Sequence, residues 1–277
     1  MPAVVEIGKD VGRRFGDIRL STYASSIAFF FFLSFIPLLI LAVRLVPFFG
    51  MSEQVVIRIV TRIAPDVTAE LLQDIAREIF FVSRRIVPVS LLILIWAASQ
   101  GTVALLYGLN RVYEVEEHRN VLQIYLISVI YTFAMLFLMV FLIFLIFGNT
   151  VSWYLNSLVP EIGVPGTPQT IWHSILFLVV GAFFFTVIYT FIPAGKRNPL
   201  EQIPGAFLSA LVWLIFSNIF KIYISGENRF TNFYGSVGTI AILLFWLYCC
   251  FYILLIGGFV NRELARRGLL HRRKSAA

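Results

Sequence analysis

The chain has 277 residues, of which 59% are hydrophobic and 13% charged, with a formal net charge of +7 and a mean hydropathy of +0.88. Soluble domains carry about 25% charged residues, so a soluble domain burying its own core is excluded as the body of this protein. The reading is an integral membrane protein, and the basic excess points to nucleic acid only if its placement fits that better than membrane topology.

Six apolar runs have the length of a membrane span: Ile27–Phe49, Val87–Leu109, Val121–Phe147, Ile171–Pro193, Ile203–Ile222 and Val237–Val260. The first is too long for a signal-peptide core and lacks a small-residue cleavage pattern, so it is read as a true span. Within it Tyr23, Phe30, Ser34, Pro37, Leu41 and Arg44 recur at three and four and share a face. Proline frees a carbonyl that neighbours must satisfy, so this face is expected to point into the bundle.

The connection 50–86 is the only sizeable region between spans. Its apolar spacing predicts two amphipathic helices, about 52–63 and 66–81, that either lie on the membrane or roof a cavity. In the second span Ala97, Gly101, Ala104 and Gly108 form a small-residue face for close helix packing, within one bundle or across a dimer. Gln100 sits on the same face, either as interhelical glue or as a path-lining group.

Lys9, Arg13, Arg14 and Arg19 precede the first span, Arg111 and Arg119 follow the second, Lys196 and Arg197 the fourth, and Arg262, Arg266 and Arg267 the sixth. In a six-span topology all of these fall on one side, which places both termini in the cytoplasm. The 50–86 connection, with Arg58, Arg62, Arg77, Arg84 and Arg85, runs against the rule. The tail 261–277 reads as a topology determinant and an anionic-lipid contact, not as a nucleic-acid site.

Catalytic patterns are missing from this sequence. His118, His173 and His271 lack ligand spacing to one another or to a carboxylate, no span holds an Asp or Glu between its ends, and there is no phosphate-binding loop pattern. The adjacent Cys249 and Cys250 project about 100° apart on a helix and read as apolar fillers. No enzyme, metal or cofactor is expected.

What remains is cationic and amide chemistry at the opposite side. Arg44 ends the first span, Asn218 and Lys221 share a face at the end of the fifth, and Arg229 leads into Gly235-Ser236-Val237-Gly238. If the sixth helix begins there, its free N–H groups and positive end would join these side chains in an anion or headgroup site. The alternative is that Arg44 and Lys221 only snorkel and the glycines only permit packing. Ser34, Pro37 and Gln100 would line a path to the site.

The motifs "LSFIP" (Leu33–Pro37), "GLNRVY" (Gly108–Tyr113), "YTFIP" (Tyr189–Pro193), "PGA" (Pro204–Ala206), Trp213, "YGSVGTI" (Tyr234–Ile240), "WLY" (Trp246–Tyr248) and "NREL" (Asn261–Leu264) occur in order. In that order and spacing the chain, from about residue 12 to 265, resembles the YihY/BrkB family. The resemblance implies a multispan bacterial inner-membrane protein without an agreed activity. Some members have carried a ribonuclease label, and BrkB itself is associated with resistance to serum killing. Many members have a glutamate near the end of the last span; here that stretch reads Gly257-Gly258-Phe259-Val260-Asn261.

The expectation is therefore an all-α integral membrane protein: one membrane domain of six helices with a short amphipathic hairpin between the first two. Its expected role is passive or partner-driven movement of an amphiphilic anion such as a lipid or envelope precursor. The alternative role is an accessory subunit docked to an envelope protein. Membrane lipids are the expected partners, nucleic acid is not, and the oligomeric state is open.

Overall fold

The computed structural model describes residues 12–45, 86–133, 169–225 and 229–268, and among them all regular structure is helical. Seven helices follow in order: α1 (12–17), α2 (Leu20–Leu45), α3 (Ile86–Tyr113), α4 (Val121–Phe133), α5 (Gln169–Phe191), α6 (Pro199–Ser225) and α7 (Arg229–Arg266). Three of them contain stretches long and apolar enough to cross a membrane: Val87–Tyr113, Pro199–Phe220 and Ile240–Arg266. The apolar stretches Leu20–Phe35, Val121–Phe133 and Leu178–Phe191 are shorter. The expected helices in 50–86 and the second half of the third span lie outside the described residues.

Helix ends at one end of the bundle are set by local chemistry. Asn120 caps α4: the Gln123 side chain accepts from its backbone N–H at 3.2 Å, and its carbonyl receives Ile124 N–H at 3.0 Å, half of a reciprocal capping box. At α6, Asn198 Oδ1 accepts from Leu200 N–H at 3.2 Å, with Pro199 at the first helical position and Glu201 in the first turn, where each is favoured. Helix α3 stops in a Schellman arrangement, Val115 N–H bonding the Asn110 carbonyl and Glu114 N–H the Arg111 carbonyl. The left-handed position that glycine usually fills is occupied by Glu114, at φ +49°.

Helix α7 is the hub, packing on α2, α3 and α6; α2 also lies along α3, and α5 along α6. The small-residue face of α3 serves packing inside this bundle: a Cβ on Gly101 would meet Phe31 of α2 at 2.8 Å, and one on Gly108 would meet Tyr23 at 3.1 Å. The α2 face that carries Pro37 does point inward, with Ser34 and Pro37 buried.

Burial is uneven along the hub. From Ile253 to Asn261 most of α7 is buried, whereas no residue from Ile240 to Tyr252 is. Helix α6 repeats the pattern, with Gln202, Gly205, Ala206, Ser209 and Ala210 buried and none from 211 to 220. The packed core therefore lies toward the end where α3 and α5 finish and α6 begins.

Two boundaries differ from expectation. Helix α7 starts at Arg229, so Gly235, Ser236 and Gly238 lie beyond its first turn. Their N–H groups belong to the helical ladder, and the four free donors of the helix start are those of residues 229–232. At the other end the helix continues to Arg266, and Asn261, expected in the tail, is 1% exposed.

Candidate functional site

The polar chemistry of the described residues concentrates at the packed end. Asn261 of α7 reaches into the first two turns of α6: its Nδ2 donates to the Gln202 carbonyl at 3.0 Å, and its Oδ1 accepts from Gly205 N–H at 2.6 Å. Gln202 in turn accepts from the Tyr113 hydroxyl of α3 at 2.7 Å. The Arg197 guanidinium lies over the Tyr113 ring, 4.3 Å from its centroid, and donates to the Ala194 carbonyl at 2.8 Å. Burial lowers the Arg197 pKa, against an opposing effect of Tyr113.

Asn110 ties the two connecting loops together. Its Oδ1 accepts from Ala194 N–H at 2.7 Å, and its Nδ2 donates to Glu117 at 2.8 Å. Glu117 also accepts from Arg119 N–H at 3.2 Å and faces the Arg119 side chain at 3.5 Å. Ion pairs surround this set: Arg262 of α7 with Glu114, and Glu263 with Arg14 of α1 at 3.7 Å and with Arg267 at 3.8 Å. Phe15 of α1 packs edge-on against Phe259. Basic residues that the sequence scattered over four segments thus meet at one end of the bundle.

One layer deeper, α6 and α7 cross at backbone distance. A Cβ on Gly257 would fall on Ser209 Oγ, and one on Gly205 would fall on the Gly257 carbonyl. The Tyr189 hydroxyl enters this crossing, donating to the Leu254 carbonyl at 2.6 Å and lying 2.8 Å from Ser209 Oγ. Tyr189 is fully buried, so its hydroxyl needs these partners.

The residues expected to form an anion site are placed differently. The side chains of Arg44, Lys221, Arg229 and Ser236 lie outside the described set, so no meeting between them is observed. Asn218 is exposed and donates to the Leu214 carbonyl of its own helix at 2.8 Å. Of the expected path-lining residues, Ser34 bonds its own Phe31 carbonyl at 2.7 Å, and Gln100 donates to Tyr125 of α4 at 3.1 Å, which makes it interhelical glue. Between α3 and α4 a cavity of about 30 Å³ is lined by Leu94, Ala98, Val129 and Phe133 among others; that is room for a water and not for a headgroup. Among the described residues no three His, Cys, Asp or Glu side chains come together as metal ligands.

The sequence reading assigned no site role to Asn110, Tyr113, Tyr189, Gln202, Ser209 or Asn261. Their signal was available as polar residues beside or within apolar runs, several of them inside the family-like motifs.

A family model described as Virulence factor BrkB matches residues 11–277. The chain belongs to the BrkB family. Its relatives include a Bacillus subtilis (strain 168) protein, YfkH, named ribonuclease-like, 28% identical over 258 residues that cover 91% of this chain and 90% of YfkH. A UPF0761 membrane protein of Pseudoalteromonas atlantica is 27% identical over 153 residues, 54% of this chain and 48% of that protein. One from Haemophilus influenzae (strain PittEE) is 32% identical over 75 residues, 27% and 28% of the two chains. The chain thus matches half or less of the length of these UPF0761 relatives. No solved structure matches it. BrkB membership and the three long apolar helices make it a membrane protein, and the residues of the polar end include those of its "GLNRVY", "YTFIP", "PGA" and "NREL" motifs.

Proposed function

We propose that this BrkB-family chain is a six-span protein of the bacterial inner membrane, with both termini cytoplasmic, that passes an amphiphilic anion such as a phospholipid or envelope precursor. The observation that carries this reading is the asymmetry of α6 and α7. Their basic ends are locked by Asn261, Gln202, Tyr113 and the Arg262–Glu114 pair, while their other halves hold no buried residue between 211 and 220 or between 240 and 252. A bundle fully buried at one end and only partly buried at the other suits a carrier that accepts a ligand from the less buried side. Arg44, Lys221 and Arg229 are proposed to attract the headgroup there; Gly235, Ser236 and Gly238 have no part in it, because their amides serve the helix. Movement is downhill or driven by a partner, since no nucleotide-binding pattern is present.

The chemistry proposed is not enzymatic. The ribonuclease-like name of YfkH describes that protein, and the three histidines here show no ligand spacing.

The test is reconstitution into liposomes containing a fluorescent phosphatidylglycerol, with a membrane-impermeant quencher added outside. The expected result is loss of the inner-leaflet signal far faster than in protein-free vesicles, slowed by Arg44→Ala with Lys221→Ala. An unchanged leaflet exchange rate in vesicles shown to hold folded protein would sink the reading and leave the accessory role, docking an envelope protein, as its replacement.

A further inference from the structure

We propose that the outer face of α3, centred on Gln100, docks a second copy of this chain within the membrane. Gln100 is the midpoint of the apolar stretch Val87–Tyr113, about 20 Å from either end at 1.5 Å per residue. A hydrocarbon core about 30 Å thick therefore holds it near its centre. Trp96, Gln100, Val103 and Tyr107 follow three- and four-residue spacing and share a face, on which Trp96 is 54% and Tyr107 43% exposed. A partly exposed amide thus stands between two exposed aromatic rings.

Gln100 carries two amide protons and a carbonyl oxygen, and its Nε2 donates to the Tyr125 hydroxyl of α4 at 3.1 Å, on the exposed side of the bundle. Among the described residues, Gln100 Oε1, the second amide proton and the Tyr125 proton have no partner. The seam between α3 and α4 is already closed without this pair: Thr102 and Thr132 meet at 2.7 Å inside it, and both reach the Ala98 carbonyl. Lipid tails offer no hydrogen bonds, so another polypeptide has to satisfy the groups left over. The leftover set is self-complementary, which selects a second copy. Two chains inserted in the same orientation, related by a two-fold axis along the membrane normal, bring each residue to its counterpart at the same depth. Gln100 then meets Gln100, each Nε2 donating to the other Oε1. The glycines of α3 pack inside the bundle, on Phe31 and Tyr23. The contact between copies is therefore carried by large side chains, with Trp96 and Tyr107 flanking the amide pair.

This docking stands whether or not the chain moves a lipid, and its test involves no transport. Two full-length copies with different tags are co-expressed, each carrying Trp96→Cys in a Cys249→Ser, Cys250→Ser background, and their membranes are oxidised with copper phenanthroline. The expected product is a disulfide-linked species of twice the mass that carries both tags. Tyr107→Cys is expected to give it too, and Phe183→Cys, 60% exposed on α5, is expected not to. Gln100→Leu added to Trp96→Cys is expected to lower the linked fraction about fivefold, the scale of one interhelical hydrogen bond in a membrane, while Tyr125→Phe leaves it unchanged. Gln100→Met, closer to glutamine in length, is the second arm if Gln100→Leu does not fold. Absence of a linked species, products in which the two tags never occur together, or equal linking at Phe183→Cys overturns the proposal. So does an undiminished linked fraction in a folded Gln100 variant.

Discussion

At the scale of single residues, two adjacent glycines have opposite tolerances. A methyl group on Gly257 would land on Ser209 Oγ, whereas one on Gly258 meets Leu109 and Val112 at 3.4 Å. Gly257→Ala is therefore expected to destabilise the protein by roughly 1–3 kcal/mol through overpacking. Gly258→Ala is expected to leave it as stable or more so, because alanine favours helix over glycine. Thermal unfolding of the two variants in one detergent checks the contrast. Asn261 gives a sharper case, since its amide donates to the Gln202 carbonyl and accepts from Gly205 N–H. Asn261→Ala is expected to cost about 1–3 kcal/mol by leaving buried groups unpaired. Asn261→Asp is expected to cost more, because it turns an acceptor-only carboxylate toward the Gln202 carbonyl oxygen; Asn261→Ala being the less stable of the two would contradict that geometry.

At the scale of elements, the turn that ends α3 and the final turns of α7 are coupled by charge. Glu114 holds a left-handed backbone angle that costs an ordinary residue roughly 1–2 kcal/mol, and from there it reaches Arg262. Glu114→Lys is expected to lower the melting temperature, and adding Arg262→Glu to recover part of the loss. A coupling of about 0.2–1 kcal/mol that shrinks in high salt is expected from a half-exposed pair; additive effects of the two substitutions would mean the contact contributes nothing. The α3 face of Ala97, Gly101 and Gly108 was legible from spacing alone, because small residues at three and four have few other uses in an apolar helix. The Tyr189 and Asn261 contacts were not, because each joins residues of different helices and periodicity within one helix says nothing of partners. The start of α7 was misread because two glycines suggested a loop. Glycine is tolerated inside a membrane helix when the surrounding apolar run continues the ladder.

At the scale of the whole molecule, the loops 114–120 and 192–198 meet through Asn110 and Ala194, with Arg197 over Tyr113. Exposed Glu116 and Lys196 therefore belong on one side of the membrane whichever side that is. Single cysteines at these positions, in a background lacking Cys249 and Cys250, are expected to react together with an impermeant maleimide in inverted vesicles and to be shielded in intact cells. Reaction of one but not the other in the same vesicles would break the bundle as described. Charge placement made this end of the fold readable, since the same rule that orients spans gathers their arginines. The carboxylates that meet those arginines were readable only as composition.

The contact of α1 with the end of α7 sets an order on biosynthesis. Phe15 and Arg14 leave the ribosome before helices α2 to α6, yet their partners Phe259 and Glu263 leave it after them. This corner cannot close until α7 has been made, so α1 must wait undocked while helices α2 to α6 are synthesised. A chain cut short before Phe259 would leave α1 undocked, marking an unfinished molecule by the exposed aromatic ring of Phe15.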